Sequence, residues 1–282
     1  MTSVALGVFD GLHLAHLAVI LPALNSDKSI CVTFSHPIHC EKAILTQNEK
    51  REALKNLGFS EIKELDFLKV KDRTPKEFLD YVCDVFSADE IVCGYNYRFG
   101  KNACGDVEFL KKYCEKRGIK ANIISEVTEN GKTVSSTLIR EYIASGEVEE
   151  ANKLLLSPFG FSAKVIDGDK RGRTLDFPTL NQEFPKEKIA PKFGVYISRA
   201  HIDGKVFDAV TNFGIRPTYR ITDPLAETYV FGFSEEIYGK TVKIELLKYL
   251  REEKEFSGID QLKKQITEDK MRAERLIIEN DL

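Results

Sequence analysis

The sequence contains no apolar run long enough to form a membrane-spanning helix. No stretch of roughly eighteen consecutive apolar residues, the length that such a helix requires, occurs in the 282 residues. The first residues also lack the basic segment, apolar core and cleavage site of a secretory signal. We therefore expect a cytoplasmic protein that has no membrane partner.

The chain also lacks a strong excess of charge of either sign. Its formal net charge is −3 and its isoelectric point is near 6.1, which argues against general affinity for nucleic acid. Apolar residues make up 43% and charged residues 30%, as in a soluble globular protein. The length suffices for one large domain or two ordinary domains.

Cysteine pairs with CxxC spacing are absent, and so is the HExxH pattern of zinc enzymes. Scattered cysteines in a chain without an export signal are expected to be reduced and mostly buried. The six are Cys31, Cys40, Cys83, Cys93, Cys104 and Cys114. We assign no chemistry to them.

A lysine-bearing phosphate loop of the form GxxxxGKS or GxxxxGKT is absent as well, so a nucleotide has to be bound in another way. A different anion site is indicated where the apolar segment Val4–Val8, a predicted strand, runs into a turn at Asp10-Gly11. His13 and His16 then open a segment with helical spacing. The free N–H groups and the positive end of the helix dipole attract an anion, and both histidines lie beside it on one helix face. The apolar positions of that helix are Leu14, Leu17 and Leu21.

These histidines also have a plainer interpretation, as ordinary residues near a turn or as a pair of zinc ligands. Chance clustering is less attractive because four of the five histidines fall in the first forty residues, namely His13, His16, His36 and His39. A closed zinc site requires cysteine or acidic ligands at metal spacing, and the sequence offers none.

Residues 1 to about 125 alternate apolar runs with capped helical segments. Further strands are predicted at Ile30–Phe34, Ile91–Cys93 and Ile123–Ile124. Helices are predicted after the capping boxes Thr46/Glu49, which leads to a stop at Gly58, and Thr74/Glu77, and between Asp106 and Gly118. This alternation predicts a doubly wound parallel sheet whose ligands bind beyond the carboxyl ends of its strands. Helical segments continue to Leu155, and we place a domain boundary after Ser157.

The second half consists of short alternating strands. They are predicted at Phe161–Ile166, Gly194–His201, Lys205–Phe213, Glu227–Phe233 and Thr241–Leu250, with a hairpin turn at Asp203-Gly204. A small antiparallel barrel is therefore expected. A final helix is predicted to start at Ser257, boxed by Asp260, and to pack on the barrel through Ile259, Leu262, Ile266, Ala273 and Leu276.

Two further stretches are expected on the rim that carries His13 and His16. Gly94–Gly100 follows a predicted strand and combines glycines with aromatic rings, Asn96 and Arg98. Val134–Arg140 has consecutive hydroxyls at a helix start, which cap the helix and can also bind phosphate oxygens. The plainer alternatives are a glycine-rich loop with aromatic anchors and capping alone.

A second candidate site lies between residues 168 and 181. Gly168 and Gly172 bracket a basic loop, and Thr179 and Asn181 follow two residues apart. In an extended segment these two side chains project to the same side, where they can offer oxygens to Mg²⁺ on a phosphate. The alternative is a solvated basic turn followed by a proline-stiffened strand.

The segment Phe9–His16 resembles the FDGxHxGH signature of bacterial bifunctional riboflavin kinase/FAD synthetases, a branch of the HxGH nucleotidyltransferases. Gly94–Gly100 is similar to the GxNFxFG segment of that family, and Val134–Arg140 to its SSTxIR motif. Thr33–Pro37 looks like the TFxPHP segment of the family shortened by one residue, so His36 is a weaker candidate.

The second half carries the family's kinase motifs in the same order. Gly168–Asn181 resembles GxxxGRxLGxPTxN, and Thr211–Thr218 resembles NxGxRPT. Glu227 matches the catalytic glutamate of the family. Tyr238–Lys240 and Leu250–Phe256 match its YGK and LRxExKF segments.

The resemblance implies a Rossmann-like FMN adenylyltransferase domain at 1–157 and a riboflavin kinase barrel with a C-terminal helix at 158–282. In the kinase domain it implies that Glu227 is the general base and that Thr179 and Asn181 hold Mg²⁺. ATP is expected on Gly168, Gly172, Arg173 and Thr174, and riboflavin on Asn212, Arg216 and Arg251.

In the first domain the resemblance implies that the FMN phosphate attacks the α-phosphate of ATP, which gives FAD and pyrophosphate. The implied catalytic donors are His13, His16 and Arg140. The implied nucleotide-binding residues are Phe9, Asp10, Gly11, Asn96, Ser135, Ser136 and Thr137. The expected partners are therefore small molecules: riboflavin, FMN and ATP.

Two departures from the motifs keep alternatives open. Ala15 stands where the signature has glycine, which suggests a riboflavin kinase with impaired adenylyl transfer. Together with Asp176, which replaces a glycine of the ATP loop, it also suggests a flavin-binding regulator without catalysis. A nicotinamide or coenzyme A precursor adenylyltransferase explains only the first half of the chain.

Overall fold

The computed structural model describes residues 1–35, 42–167, 178–215, 224–254 and 256–280. It divides into two compact units, Met1–Leu138 and Ile139–Leu282. This division falls inside a helix, whereas the boundary after Ser157 remains a prediction about sequence domains. Among the described residues, no helix combines the length and the apolar character needed to cross a membrane.

The first unit is built on a parallel sheet of five strands. In chain order they are β1 (Thr2–Leu6), β2 (Lys28–Phe34), β3 (Glu61–Leu65), β4 (Glu90–Gly94) and β5 (Lys120–Ile124). Their order across the sheet is β3-β2-β1-β4-β5, which confirms the doubly wound prediction. From β1 the chain adds β2 and β3 on one side of the sheet, and it then crosses back to add β4 and β5 on the other side. The switch point therefore lies between β1 and β4.

In the described part of this unit, five α-helices connect the strands: α1 (Leu14–Leu24), α2 (Gln47–Asn56), α3 (Phe67–Val70), α4 (Pro75–Phe86) and α5 (Val107–Arg117). Both predicted capping boxes form. The Thr46 hydroxyl accepts a hydrogen bond from Glu49 N at 3.2 Å, and the Glu49 carboxylate accepts one from Thr46 N at 2.8 Å. The buried face of α1 differs from the prediction, because Leu21 is 53% exposed while Val19, Ile20 and Ala23 face the sheet.

Apolar side chains pack on both faces of the sheet, as the period of two along a strand requires. Val4 and Leu6 belong to the layer formed with α4 and α5, and Ala5 belongs to the opposite layer with α1 and α2. Four free cysteines are buried in this unit and Cys104 is exposed. Burial raises the pKa of the Cys31 thiol to about 12. Cys40 lies outside the described residues.

A short hairpin of β6 (Thr128–Glu129) and β7 (Lys132–Thr133) precedes α6 (Ser136–Ser145) and α7 (Val148–Leu154). The second unit then forms a closed antiparallel barrel, as predicted. Its strands are β8 (Gly160–Ile166), β9 (Thr179–Glu183), β10 (Gly194–Ile202), β11 (Lys205–Gly214), β12 (Leu225–Val230) and β13 (Thr241–Arg251). The order around the barrel is β10-β11-β12-β9-β8-β13.

Three hydroxyls form a hydrogen-bonded chain inside the barrel. Ser198 Oγ and Thr211 Oγ1 are 2.7 Å apart, and Thr211 Oγ1 and Thr228 Oγ1 are 2.9 Å apart. All three side chains are fully buried, so mutual hydrogen bonding removes the cost of their desolvation. Residues adjacent to them on β11 and β12 therefore point to the outer face.

The turn and the final helix of the second unit also match most of the prediction. Asp203 and Gly204 both have positive φ, 48° and 77°, as a two-residue hairpin turn demands. The helix α8 (Ile259–Asn280) begins two residues after Ser257. The predicted box with Asp260 is wrong, because the backbone N–H of Ser257 donates to the Gln261 side chain instead. Ala273 is fully buried against the barrel.

Candidate functional site

The turn after β1 is held in an unusual backbone conformation. Phe9, Gly11 and Leu12 all have positive φ, with values of 53°, 92° and 46°. Such a conformation is unfavourable for residues with a side chain and persists only when the surroundings enforce it. Phe9 and Leu12 are each 1% exposed, so the core fixes both ends of the turn. β1 ends at Leu6 rather than Val8 because the chain turns here.

Asp10 supports the turn through its carboxylate. Its Oδ1 accepts hydrogen bonds from Ile44 N at 2.9 Å and Leu45 N at 3.3 Å. The side chain is 5% exposed. These contacts fix the segment that leads into α2, so Asp10 has a structural task in addition to the nucleotide contact expected from the sequence.

His13 is the N-cap of α1 and is almost completely buried. Its Nδ1 accepts a weak hydrogen bond from His16 N at 3.4 Å, and its Nε2 lies 3.3 Å from Ser136 Oγ. The Ser136 hydroxyl donates its single proton to Asp10 O at 2.8 Å. The serine oxygen therefore accepts from His13, and the ring that fits both contacts is the neutral tautomer with its proton on Nε2.

The ring of His16 stacks on that of His13, with centroids 3.6 Å apart and an interplanar angle of 17°. Phe9 meets it edge to face at 5.4 Å. Burial, followed by the neighbouring His13 and Lys50, lowers the pKa of His16 well below its usual value. Its Nδ1 is buried and has no hydrogen-bond partner among the described residues. Since a buried N–H without an acceptor is costly, the proton belongs on Nε2.

The predicted hydroxyl segment and the predicted loop both reach this edge of the sheet. Ser136 contacts His13 directly, and Ser135 Oγ accepts a hydrogen bond from Leu138 N at 3.2 Å, so it caps α6. Asn96 is exposed and follows β4, the neighbour of β1. Arg140 falls in the second compact unit.

Lys50 was missed from the sequence. Its ammonium is buried beneath the turn and contacts the carbonyl oxygens of Phe34 and Val8 at 2.6 and 3.3 Å. A usable signal existed, because Lys50 is four residues before Leu54 and seven before Leu57 and therefore lies on the apolar face of α2.

In the second unit, the strand register assembles a polar row on the outer face of the barrel. Glu227 of β12 is paired with Asn181 of β9 on one side and with Asn212 of β11 on the other. Directly paired residues of neighbouring antiparallel strands share one face of a sheet. The row therefore places a half-buried carboxylate between two carboxamides, and Thr179 lies on the same side of β9 as Asn181.

Glu253 is a second carboxylate at this row that sequence reasoning did not assign. Its Oε1 accepts a hydrogen bond from Asn212 Nδ2 at 3.4 Å. Burial raises its pKa, and the negative charge of Glu227 adds to the increase. Gly214 lies beneath this carboxylate, where any Cβ would overlap it.

Arg251, expected to bind the flavin, is engaged by a carboxylate. Its guanidinium donates to Asp269 of α8 through Nε at 2.9 Å and through Nη2 at 2.7 Å. Both side chains are mostly buried. The pair joins the end of β13 to the final helix, so Arg251 has a structural role whatever its contribution to flavin binding. Several other residues named from the sequence lie outside the described residues: His36, His39, Gly168, Gly172, Arg173, Thr174, Asp176 and Arg216.

Comparison with known proteins places both units in context. The family model described as FAD synthetase matches residues 1–138, and the model described as riboflavin kinase matches residues 155–277. The bifunctional riboflavin kinase/FMN adenylyltransferase of Bacillus subtilis is 35% identical, over 96% of this chain and 91% of its own. Its counterpart from Listeria monocytogenes is 32% identical, over 94% and 89%.

A solved structure from Streptococcus pneumoniae, described as a macrolide-efflux protein, has a TM-score of 0.88 and 30% identity to this chain. The match covers 97% of this chain and 93% of the Streptococcus pneumoniae chain. The efflux activity belongs to the name of that protein and is not transferred to this chain. The chain thus has the two-part architecture of an ATP-dependent flavin-cofactor enzyme. It belongs to the bifunctional riboflavin kinase/FMN adenylyltransferase family, with the FAD synthetase region first and the kinase region second.

Proposed function

We propose that this chain converts riboflavin to FMN on the barrel row and FMN to FAD at the turn after β1, with ATP as the co-substrate of both steps. The observation that carries the proposal is the chain of hydrogen bonds from His13 through Ser136 to Asp10 O. It brings two motifs that are 123 residues apart into one site at the switch point of the sheet. We expect both steps to take place in the cytoplasm.

For the first step, Glu227 takes the proton of the terminal ribityl hydroxyl of riboflavin. The resulting oxygen attacks the γ-phosphorus of ATP, the bond to the bridging β–γ oxygen breaks, and ADP leaves. Asn181 and Asn212 flank Glu227 on the two neighbouring strands. Asn212 and the proposed Arg216 and Arg251 orient the flavin, while Gly168, Gly172, Arg173 and Thr174 are proposed to hold ATP.

The side-chain oxygen atoms of Thr179 and Asn181 on β9 are ligands of the kind that a magnesium ion prefers. Mg²⁺ prefers oxygen ligands and is commonly held by a few protein groups together with substrate phosphates. Asn181 Nδ2 donates to Thr179 O at 3.4 Å, which turns the amide oxygen away from the backbone. Thr179 and Asn181 are therefore proposed to hold Mg²⁺, which when bound neutralises charge on the phosphates of ATP.

For the second step, an oxygen of the FMN phosphate attacks the α-phosphorus of ATP. The bond to the bridging α–β oxygen breaks, and pyrophosphate leaves. The nucleophile is already an anion, so the site has to position it and stabilise negative charge. At the N-terminus of α1, His16 supplies an Nε2–H donor, and His13 supplies one when its Nε2–H exchanges Ser136 Oγ for a phosphate oxygen. Arg140 supplies a cation. The other proposed nucleotide contacts are Phe9, Asp10, Gly11, Asn96, Ser135, Ser136 and Thr137.

The comparisons do not favour the alternatives that Ala15 and Asp176 suggested, because relatives of the whole chain are named as bifunctional enzymes. The decisive experiment incubates purified protein with riboflavin, ATP and MgCl₂ and separates riboflavin, FMN and FAD over time. We expect FMN first and FAD second, and neither product when EDTA replaces MgCl₂. Accumulation of FMN alone would limit the chain to kinase activity. Flavin binding without either product would contradict both steps.

A further inference from the structure

Lys50 occupies a position where a lysine is unusual. It lies in the first turns of α2, one turn before Leu54, and both side chains point to the sheet. Lys50 is 5% exposed, and lysine is almost never buried to this extent unless its charge is compensated. The side chain therefore needs partners that justify the loss of its hydration.

Three oxygen atoms surround the Lys50 nitrogen. Phe34 O lies at 2.6 Å, Val8 O at 3.3 Å and Thr33 Oγ1 at 3.5 Å. Thr33 donates its hydroxyl proton to Val8 O at 2.8 Å, so towards Lys50 its oxygen acts as an acceptor. Three acceptors require three N–H donors, and only the ammonium form of lysine has three.

Charged neighbours oppose the effect of burial on this ammonium. Burial lowers the pKa of Lys50, whereas the carboxylates of Asp10 and Glu64 raise it. Asp10 belongs to the turn, and Glu64 lies on β3. The ammonium of Lys50 thus lies between the turn and strands β2 and β3.

The two carbonyls bound by Lys50 belong to residues at the carboxyl ends of neighbouring strands, the edge that carries the candidate anion site. Phe34 is the last residue of β2, and Val8 immediately precedes Phe9, the first residue of the turn with positive φ. Carbonyl oxygens carry negative partial charge, so without a cation they would repel a phosphate group. The ammonium compensates these carbonyls and fixes the backbone from which the turn departs.

Lys50 also affects the pKa of His16. Its positive charge is one of the causes that lower the pKa of His16, after burial and His13. A neutral His16 retains one N–H donor and keeps the closely packed ring pair free of a cation next to the charged Lys50.

From this geometry we propose that Lys50 is a positioning residue for adenylyl transfer, because its buried ammonium joins the ends of β1 and β2 and fixes the turn that presents His13 and His16. The inference rests on the proposed FMN adenylylation. It does not require Lys50 to contact either substrate.

The test uses the full-length chain and measures both steps separately. Lys50→Met removes the ammonium but keeps the length of the side chain. We expect kcat for FAD formation from supplied FMN to fall about 30-fold to 100-fold, with the apparent KM values for ATP and FMN within about threefold of wild type. Phosphorylation of riboflavin should be unchanged. Lys50→Arg, which keeps the charge and several donors, should recover at least a tenth of the wild-type kcat.

Two control variants distinguish a positioning role of Lys50 from a general effect of losing a lysine charge and from an effect of lower stability. Lys55→Met removes an exposed lysine of the same helix and should leave FAD formation unchanged. Leu54→Ala removes a fully buried side chain one turn away and should lower the thermal midpoint while FAD formation at the assay temperature stays within about threefold.

Retention of full FAD formation by Lys50→Met would overturn the inference. So would an equal loss of FAD formation in Leu54→Ala, since the effect would then follow stability alone. If Lys50→Met fails to fold, Lys50→Gln replaces it, with the same expected loss of kcat and the same overturning result. A wild-type chain that makes no FAD would instead overturn the proposed adenylylation itself.

Discussion

The two units assemble their candidate sites by different means. In the first unit, a turn with three residues at positive φ presents two stacked imidazoles, and hydrogen bonds from distant segments hold it in place. In the second unit, the register of three neighbouring strands places a carboxylate between two carboxamides. The first arrangement depends on enforced local strain, whereas the second follows from ordinary strand pairing.

The chemistry of the two proposed reactions accounts for this difference. A ribityl hydroxyl has to lose a proton before it can attack phosphorus, so the barrel needs a base, and Glu227 supplies a carboxylate. The FMN phosphate is already an anion, so a carboxylate next to it would be repulsive. In the first unit the carboxylate of Asp10 is accordingly turned to backbone N–H groups, and the neutral rings provide donors.

Replacement of the proposed base, Glu227, should separate the two activities most strongly. Glu227→Gln keeps the size of the side chain but cannot accept a proton from the ribityl hydroxyl. We expect riboflavin phosphorylation to fall about 10²-fold to 10⁴-fold, while FAD formation from supplied FMN is unchanged. Product separation over time measures both rates. Glu183→Gln, at an exposed carboxylate at the end of β9, is the matched control. A kinase rate within tenfold of wild type in Glu227→Gln would exclude the base role.

The reciprocal change should act on the first unit alone. His13→Ala removes the Nε2–H donor and the N-cap of α1, so FAD formation should fall about 10²-fold to 10³-fold. Riboflavin phosphorylation in the same sample reports on the other unit and should stay at the wild-type rate. His201→Ala, on the barrel, provides a control for loss of a histidine. Equal loss of both activities would show that the two sites are not independent.

A smaller effect is expected when the orientation of His13 is disturbed. Ser136→Ala removes the acceptor of His13 Nε2–H and the donor to Asp10 O. We expect kcat for FAD formation to fall about tenfold. Ser145→Ala, at the last residue of the same helix, should have no effect on this rate. The role assigned to the serine would be wrong if the two variants had equal rates.

The smallest effect concerns the pH dependence of stability. Because the pKa of His16 is lowered in the folded chain, the folded state binds fewer protons than the unfolded state at low pH. Above the unfolded pKa of about 6.5, His16 is neutral in both states and costs no stability. Below that value the unfolded chain takes up a proton that the folded chain does not, so the free energy of unfolding falls by up to about 1.4 kcal/mol per pH unit.

His16→Gln, which cannot titrate, tests this linkage. Thermal midpoints of wild type and variant at pH 7.5 and 5.5 should show a smaller decrease for the variant. An equal decrease in both proteins would show that His16 does not carry the pH dependence.

Local sequence patterns predicted the elements of the fold because their causes are local. The box of Thr46 with Glu49, the hairpin turn at Asp203-Gly204 and the alternation along the barrel strands all involve residues close in sequence. Strand β3 was not predicted, since its sequence Glu61–Leu65 is rich in charge and half exposed. The start of α8 was displaced because Gln261 rather than Asp260 bonds Ser257.

The motifs predicted candidate residues for both sites, but not the contacts that those residues make within the fold. The sequence by itself determined a parallel α/β unit followed by a barrel, because residue type and local spacing were sufficient. Spacing also indicated His13, His16 and Ser136 as site candidates, whereas Glu227 was implied by the resemblance of its segment to the family. Only the tertiary structure showed that Lys50 is buried beneath the turn, since this depends on contacts with Val8 and Phe34 far away in sequence. It likewise showed that burial, His13 and Lys50 lower the pKa of His16, which depends on packing and on charges brought close by the fold.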